Sequence, residues 1–353
     1  AVGHKTSCAI MGDDSLKCWG SNSHGQLGQN DTVNRGDVTG SMTALAKINL
    51  GTGRTARFVG VSTNGNHVCA ILDDDSLKCW GANDYGQLGI GGTDHQGDDS
   101  GEMAALSSID LGGQTVKSVS AGGRHTCAIL DDDSVKCWGR NNYGQLGRNA
   151  ALPGGNITDN IGSASVGEIA SISPIDLGTG RTARSITAGS DFTCVVLDNG
   201  NAKCWGFNGS GNLGLEDTDH RGDDAGEMAT LSSVDFAANI KNIFAGNQHV
   251  CVVLNDDGVK CWGNNLYGQL GLDSMDAQGD DPNEMTNLPF VDLGIGRTVL
   301  NLATGGNHTC AVLDDNTLKC WGRNHVGQLG LGDDLNRGDE PNEMMGLPLV
   351  GIF

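Results

Sequence analysis

The chain is short of aromatic residues, of positive charge and of long apolar runs. Aromatics make up 5% of its 353 residues. No stretch of 18 apolar residues occurs, so no helix is expected to cross a membrane. Lys and Arg total 22 against 43 Asp and Glu, a net charge of −21. Nucleic-acid affinity comes largely from cations that displace counterions, so no nucleic-acid partner is expected, and an anionic membrane surface is disfavoured on the same ground. The charge favours solubility, cation binding or a basic partner. No C-x2-C knuckle is present, which argues against cysteine-built zinc sites. Glycine-rich runs lack the Lys-Ser/Thr of a Walker loop. Ser, His and Asp recur with the rest of the pattern, none standing once in a motif as a nucleophile would, so no enzyme is expected. The chain begins at Ala1, without Met or a signal peptide, and reads as a mature or excised segment.

What is present is repetition. The 12 cysteines form six C-x9-C frames: Cys8 and Cys18, Cys69 and Cys79, Cys127 and Cys137, Cys194 and Cys204, Cys251 and Cys261, Cys310 and Cys320. Each second cysteine is followed by Trp: Trp19, Trp80, Trp138, Trp205, Trp262 and Trp321. Successive first cysteines lie 61, 58, 67, 57 and 59 residues apart, too far for a helical solenoid unit and suited to a four-stranded blade with loops. Gly is 56 of 353, and glycine- and turn-rich sequence with Val and Ile points to short antiparallel strands.

The third copy shows the unit. Cys127–Leu130 reads as a strand, Asp131–Ser134 as a turn and Val135–Gly139 as the returning strand. A hairpin centred on Asp132 sets Cys127 opposite Cys137, where opposed Cα atoms lie roughly 4.5 Å apart, near the low end of disulfide reach. Six intra-hairpin disulfides are expected, with reduced structural thiols as the alternative. Bonded cysteines at this density imply an oxidising compartment: extracellular, cell-surface or periplasmic.

Next comes a W-G-x-N-x-x-G-Q-L-G run whose Asn (Asn22, Asn83, Asn141, Asn208, Asn265, Asn324) is expected to bond loop backbone. An acidic loop follows, then strands such as Ile109–Leu111 and Val116–Ala121, giving four strands per copy. Copy four carries a longer loop, Arg148 to Ile172. Copy five lacks the Gly-Arg-Thr turn.

The segment Ala121–Gly147 resembles, almost residue for residue, the blade signature of the regulator of chromosome condensation repeat family, and the likeness extends over all six copies. It implies a β-propeller. Members of that family usually have seven blades; six are expected here, in one domain over residues 1–353, all-β, each blade four antiparallel strands. Leu347–Phe353 is expected to pair with the N-terminal hairpin and close the ring, removing an exposed edge. The family includes an exchange factor for a small GTPase, a plant ultraviolet photoreceptor and a secreted bacterial inhibitor of β-lactamase. The photoreceptor's Trp slot holds His4, Gly65, Gly123, Ser190, Asn247 and Gly306, so light sensing is not expected.

Candidate sites each have a plainer alternative. Loops of the form G-D-x3-E-M carry Asp98 and Glu102, Asp223 and Glu227, Asp280 and Glu284, Asp339 and Glu343. Carboxylates in a tight loop suit calcium; the plainer reading is amide-capping carboxylates with Met plugged between blades. His67, His125, His249 and His308 could ring a channel and hold metal, or simply stabilise turns, which is favoured. The runs Asp73–Asp75 and Asp131–Asp133 read as solvated hairpin tips. Asn30, Asn156, Asn208 and Asn307 stand in glycosylation sequons. The insertion, with Arg148, Asn149, Asn156, Asp159 and Asn160, is the candidate specificity loop because it alone breaks the repeat length. No cofactor beyond calcium is expected. The leading expectation is a secreted or surface binding module for protein or glycan. A self-assembling extracellular filament or surface subunit is the alternative, and a propeller-based glycan-active enzyme the third.

Overall fold

A computed structural model describes residues 1–149, 159–234, 236 and 239–351. Blade 1 holds β1 (Thr6–Ile10) and β2 (Leu16–Gly20). Blade 2 holds β3 (Ala56–Val61), β4 (His67–Leu72) and β5 (Leu77–Gly81), followed by α1 (Glu102–Ala105). Blade 3 comprises β6 (Val116–Ala121), β7 (His125–Leu130) and β8 (Val135–Gly139), followed by α2 (Glu168–Ser171). Blade 4 has β9 (Ala183–Ala188), β10 (Phe192–Leu197), β11 (Ala202–Gly206), then α3 (Glu227–Thr230). Blade 5 has β12 (Ile240–Ala245), β13 (His249–Leu254), β14 (Val259–Gly263), then α4 (Glu284–Asn287). Blade 6 has β15 (Val299–Thr304), β16 (His308–Leu313) and β17 (Leu318–Gly322).

The hairpin forms as its sequence dictates. Cys127 faces Cys137 across β7 and β8, and all six frames are closed by disulfides. The Asp133 N–H donates to Leu130 O, and the Ser134 N–H to Asp132 Oδ1, so the Asp run supplies turn bonds. The frame Asn is buried in every copy; Asn141 Oδ1 accepts from Leu146 N–H at 2.9 Å.

Five sheets have three strands and the first has two, which corrects the expected four. The fourth segment is present but barely paired. Ile109 N donates to Leu77 O, Ile175 N to Val135 O, and Val291 N to Val259 O. Proline within several of these segments (Pro174, Pro289, Pro348) lacks an N–H and confines them to an edge. The same bonding assigns the long loop to blade 3 rather than to copy four, since Ile175 returns to β8 of that blade.

The middle strands β4, β7, β10 and β13 are buried at every residue. Each lies in a blade covered by neighbours on both faces, so the usual in-out alternation disappears. Five joints link six blades through four apolar clusters. Among the described residues none of these clusters unites blade 6 with blade 1. Among the described residues the expected closure is not found: Val350 N donates to Leu318 O of its own blade, and Ile352 and Phe353 of the expected closing segment lie outside the described residues. The N-terminal hairpin instead bonds Val2 beside Ser7, filling the place of an inner strand. At the seam β16 returns to alternating burial. Blade-6 loop residues Gly327 and Gly330 are exposed where their counterparts in blades 1 to 5 are buried.

Candidate functional site

Each of the five joints rests on one backbone acceptor in the G-Q-L-G loop or, in blade 4, in its G-N-L-G counterpart. At the joint from blade 2 to blade 3, the Gln87 carbonyl accepts from Trp138 Nε1–H at 3.1 Å and from Thr126 Oγ1–H at 2.8 Å. His67 Nε2 lies 3.0 Å from the same Thr126 Oγ1. Because that hydroxyl's proton goes to Gln87, the histidine carries its own on Nε2 and donates it. The arrangement recurs as His125–Thr193–Gln145–Trp205 and as His249–Thr309–Gln269–Trp321. Where Thr6 or Phe192 replaces His, the next blade has Val68 or Val250 in place of Thr, and the Trp bond stands alone.

These histidines lie inside three different joints. Burial pushes His67 down to about 4 and His125 and His249 to about 3. They are neutral structural donors at neutral pH. The glycines answer a packing need: a Cβ on Gly144 would lie 2.2 Å from the Gly222 carbonyl carbon of the next blade.

The glutamates of the G-D-x3-E-M loops cap backbone amides. Glu102 Oε2 accepts from the N–H groups of Gly97, Asp98 and Asp99 at 2.8, 3.1 and 2.9 Å. Glu284 and Glu343 each accept three likewise, and Glu227 accepts from Gly222 and Asp224. Glu168 repeats the device at Gly162 and Ala164, a copy hidden in the sequence because Ser163 and Ile169 stand for the Asp and Met and one more residue separates Gly162 from the Glu. Met103, Met228, Met285 and Met344 are buried behind the caps. Burial raises the Asp223 and Asp280 carboxyls, with Glu227 and Glu284 acting in the same direction. Asp98 and Asp339 stand half-buried beside their caps. Among the described residues no three His, Cys, Asp or Glu side chains converge to hold an ion. The sequon residue Asn208 is buried and bonds Asp217, so it cannot carry a glycan.

The two ends of the ring differ. Hairpin tips and the turns into each inner strand share one end. There Arg54 pairs with Asp73 and Asp74, Arg181 with Asp198, and Arg297 with Asp314 and Asp315. The W-G-x-N loops occupy the other end and carry a layer of stacked rings. Tyr85 has the Arg124 guanidinium 5.3 Å and the Arg140 guanidinium 5.5 Å from its ring centre. Arg140 also lies over Tyr143 at 5.6 Å. Tyr143 meets Phe207 and His220 edge-on. Tyr267 repeats the motif with Arg323 at 5.1 Å and His325. Asp191 sits beside Arg140; burial raises its carboxyl, and Arg140 and Arg124 pull the other way.

The insertion joins this end. Arg148 donates to Asp159 O, Asn149 bonds Asp176, and Asn160 Oδ1 accepts from the Asn141 N–H. Gly226 N donates to Asn149 O, which holds the loop's stem against the segment after His220. Asn156 lies outside the described residues. Sequence reasoning missed the ring layer, although a signal existed: all three tyrosines of the chain, Tyr85, Tyr143 and Tyr267, occupy the same place in the W-G-x-N-x-Y frame.

A model of the Regulator of chromosome condensation (RCC1) repeat matches residues 1–26, 58–87, 116–145, 183–212, 240–269 and 299–328, and a second model of that repeat matches 74–129 and 256–312. The chain is 26% identical to the Ultraviolet-B receptor UVR8 of Arabidopsis thaliana over 339 residues, 96% of this chain and 67% of that protein. It is 29% identical to the Probable E3 ubiquitin-protein ligase HERC4 of Mus musculus over 261 residues, 74% of this chain but 22% of that one. Among solved structures, Prp20p from Saccharomyces cerevisiae, described with its binding to Gsp1p and histones, superposes with a TM-score of 0.73 at 17% identity. That superposition covers 99% of this chain and 76% of the yeast chain. The same yeast protein bound to Kap60 gives 0.72 at 17% identity, covering 99% and 74%.

Proposed function

Because the chain belongs to the Regulator of chromosome condensation (RCC1) repeat family, we propose that it is a binding module that recognises a protein partner through the loop end of its blades. One observation carries the reading. The buried frame of Cys, Trp, Asn and Gly is copied from blade to blade, whereas the layer above it varies, with Tyr on Arg at two joints, Tyr on Phe at a third and Ser against Asn at a fourth. Tyr85 meets Arg140, Tyr143 meets Phe207, Ser210 meets Asn264, and Tyr267 meets Arg323. The fold does not require that variation, and Tyr and Arg are the residues that dominate protein interfaces. A yeast protein of the same fold, Prp20, has been seen bound to a protein, Kap60. The insertion stem at Arg148 and Asn149 extends the face, and a glycan would use the same rings. Six disulfides favour an oxidising compartment, which supports reading the module as secreted or displayed on a cell surface.

The test is partner recovery from the native source with three forms of the protein. Wild type and an Arg54→Ala variant at the opposite end should retain the partner, and a Tyr85→Ala/Tyr143→Ala variant should lose it. Retention by the tyrosine variant would sink the reading.

A second reading, a subunit of an extracellular assembly, draws on the open seam. Blade 6 presents Gln328 and His308, and blade 1 presents the partly exposed Trp19 and Ser7, which are the two halves of a joint. Head-to-tail association of copies would match them. Sedimentation showing one monomeric species at all concentrations would end that reading.

A further inference from the structure

Resting on the loop-end reading, we propose that this face selects carboxylates, and that its partner presents Asp or Glu side chains within an apolar surface. The chain has twice as many acids as bases, 43 against 22, so an arginine without an acid needs explaining. At the hairpin-tip end Arg54, Arg57, Arg181 and Arg297 are paired with aspartates and Arg184 donates to the Ile240 carbonyl, and at the loop end Arg35, Arg140, Arg221 and Arg337 are paired with aspartates too. Two loop-end arginines, Arg124 and Arg323, make no ion pair among the described residues; both lie over tyrosine rings, and Arg124 also faces the Asp191 carboxyl that pairs with Arg140. The Nε atoms of Arg140 and Arg323 are buried with no hydrogen-bond partner.

A guanidinium laid on a ring is held in place while its edge stays open, and that edge matches a carboxylate with two parallel bonds. Leu266 and Val326 stand exposed beside Tyr267 and His325, so apolar contact is available next to the charge. A phosphate backbone fits poorly. It needs many cations in a row, and a surface of −21 repels its charge density. Isolated carboxylates among apolar groups meet the local arginines without that repulsion, because fields beyond roughly 8 Å are screened at physiological salt.

The probe is a short fluorescein-labelled peptide of alternating glutamate and leucine, compared by anisotropy with its glutamine–leucine counterpart and a single-stranded DNA of equal length. The acidic peptide should bind and the glutamine peptide should not. Arg124→Ala should weaken binding about ten-fold, the value of one charge-assisted contact. Arg124→Lys should recover only part of it, since an ammonium cannot fork to both carboxylate oxygens. An Asp73→Asn variant at the other end should bind like wild type. Equal binding of the two peptides, tighter binding of the DNA, or unchanged binding by a folded Arg124→Ala variant would overturn the proposal. If the acidic peptide fails to bind while the tyrosine variant still loses the native partner, the carboxylate assignment falls and the loop-end reading stands.

Discussion

Blades 3 and 6 are written in nearly the same residues and live in different surroundings. Their middle strands read HTCAIL and HTCAVL, and their returning strands VKCWG and LKCWG. Yet β7 is buried throughout, while every second residue of β16 is only partly covered. The difference teaches that a blade's core is not its own. Its apolar residues serve two joints, and where one joint is open the same sequence is left half-wet. Trp19 makes the point from the other side of the seam. The tryptophans of blades 2 to 6 are fully buried and each donates to the preceding blade. Trp19 is partly exposed and has no acceptor among the described residues.

The largest effect should come from cutting into one sealed joint. Trp138→Ala removes a buried indole and its bond to Gln87, and should cost about 3–5 kcal/mol in denaturant unfolding. Trp19→Ala should cost clearly less, because its ring is already partly hydrated. Equal losses would mean that the seam is closed in solution.

Acid sharpens the same contrast. His125 is held neutral by burial, its folded value near 3 lying far below the ordinary 6.5. Between those values the unfolded chain binds more protons, so the stability this residue contributes is whole above pH 6.5 and is lost as pH falls towards 3. Each unit should cost about 1 kcal/mol per such histidine. His125→Phe, which copies Phe192 of blade 4, should flatten the decline in melting temperature between pH 6.5 and 4. His308, at the seam, is also lowered by burial but is less enclosed, so His308→Phe should change that slope less. A slope untouched by His125→Phe would remove the histidine joints from the account.

The smallest effect concerns the acidic loops. Their glutamates already cap backbone amides, so neither calcium nor a chelator should move the melting temperature. A rise with calcium would return Asp98, Glu102 and their counterparts to the cation-binding role their composition suggested.

Much of this was legible in the residues. Hairpin, disulfide and frame Asn depend on groups within about ten positions of one another, and a repeated local pattern announces them six times. The joints were harder to read. Trp138 finds its acceptor at Gln87, 51 residues away, and the partner of His67 is a threonine 59 residues on. Only after the blades are stacked does the pairing of His with Thr, and of Thr6 or Phe192 with Val, become visible as one rule. The stacked Tyr–Arg layer was missed because rings and guanidinia come from different copies.

The sequence by itself determined the unit: a disulfide-clasped hairpin with its tryptophan and glycine loop, a short-range matter of strand register and turn chemistry. The tertiary structure alone decided how the units meet, because contact between blades joins residues that chain order keeps far apart. It bonded Val350 to its own blade, showed the outer segment to be a sparsely bonded edge, set the glutamates of the acidic loops on backbone amides, and gathered arginines over tyrosines at one end.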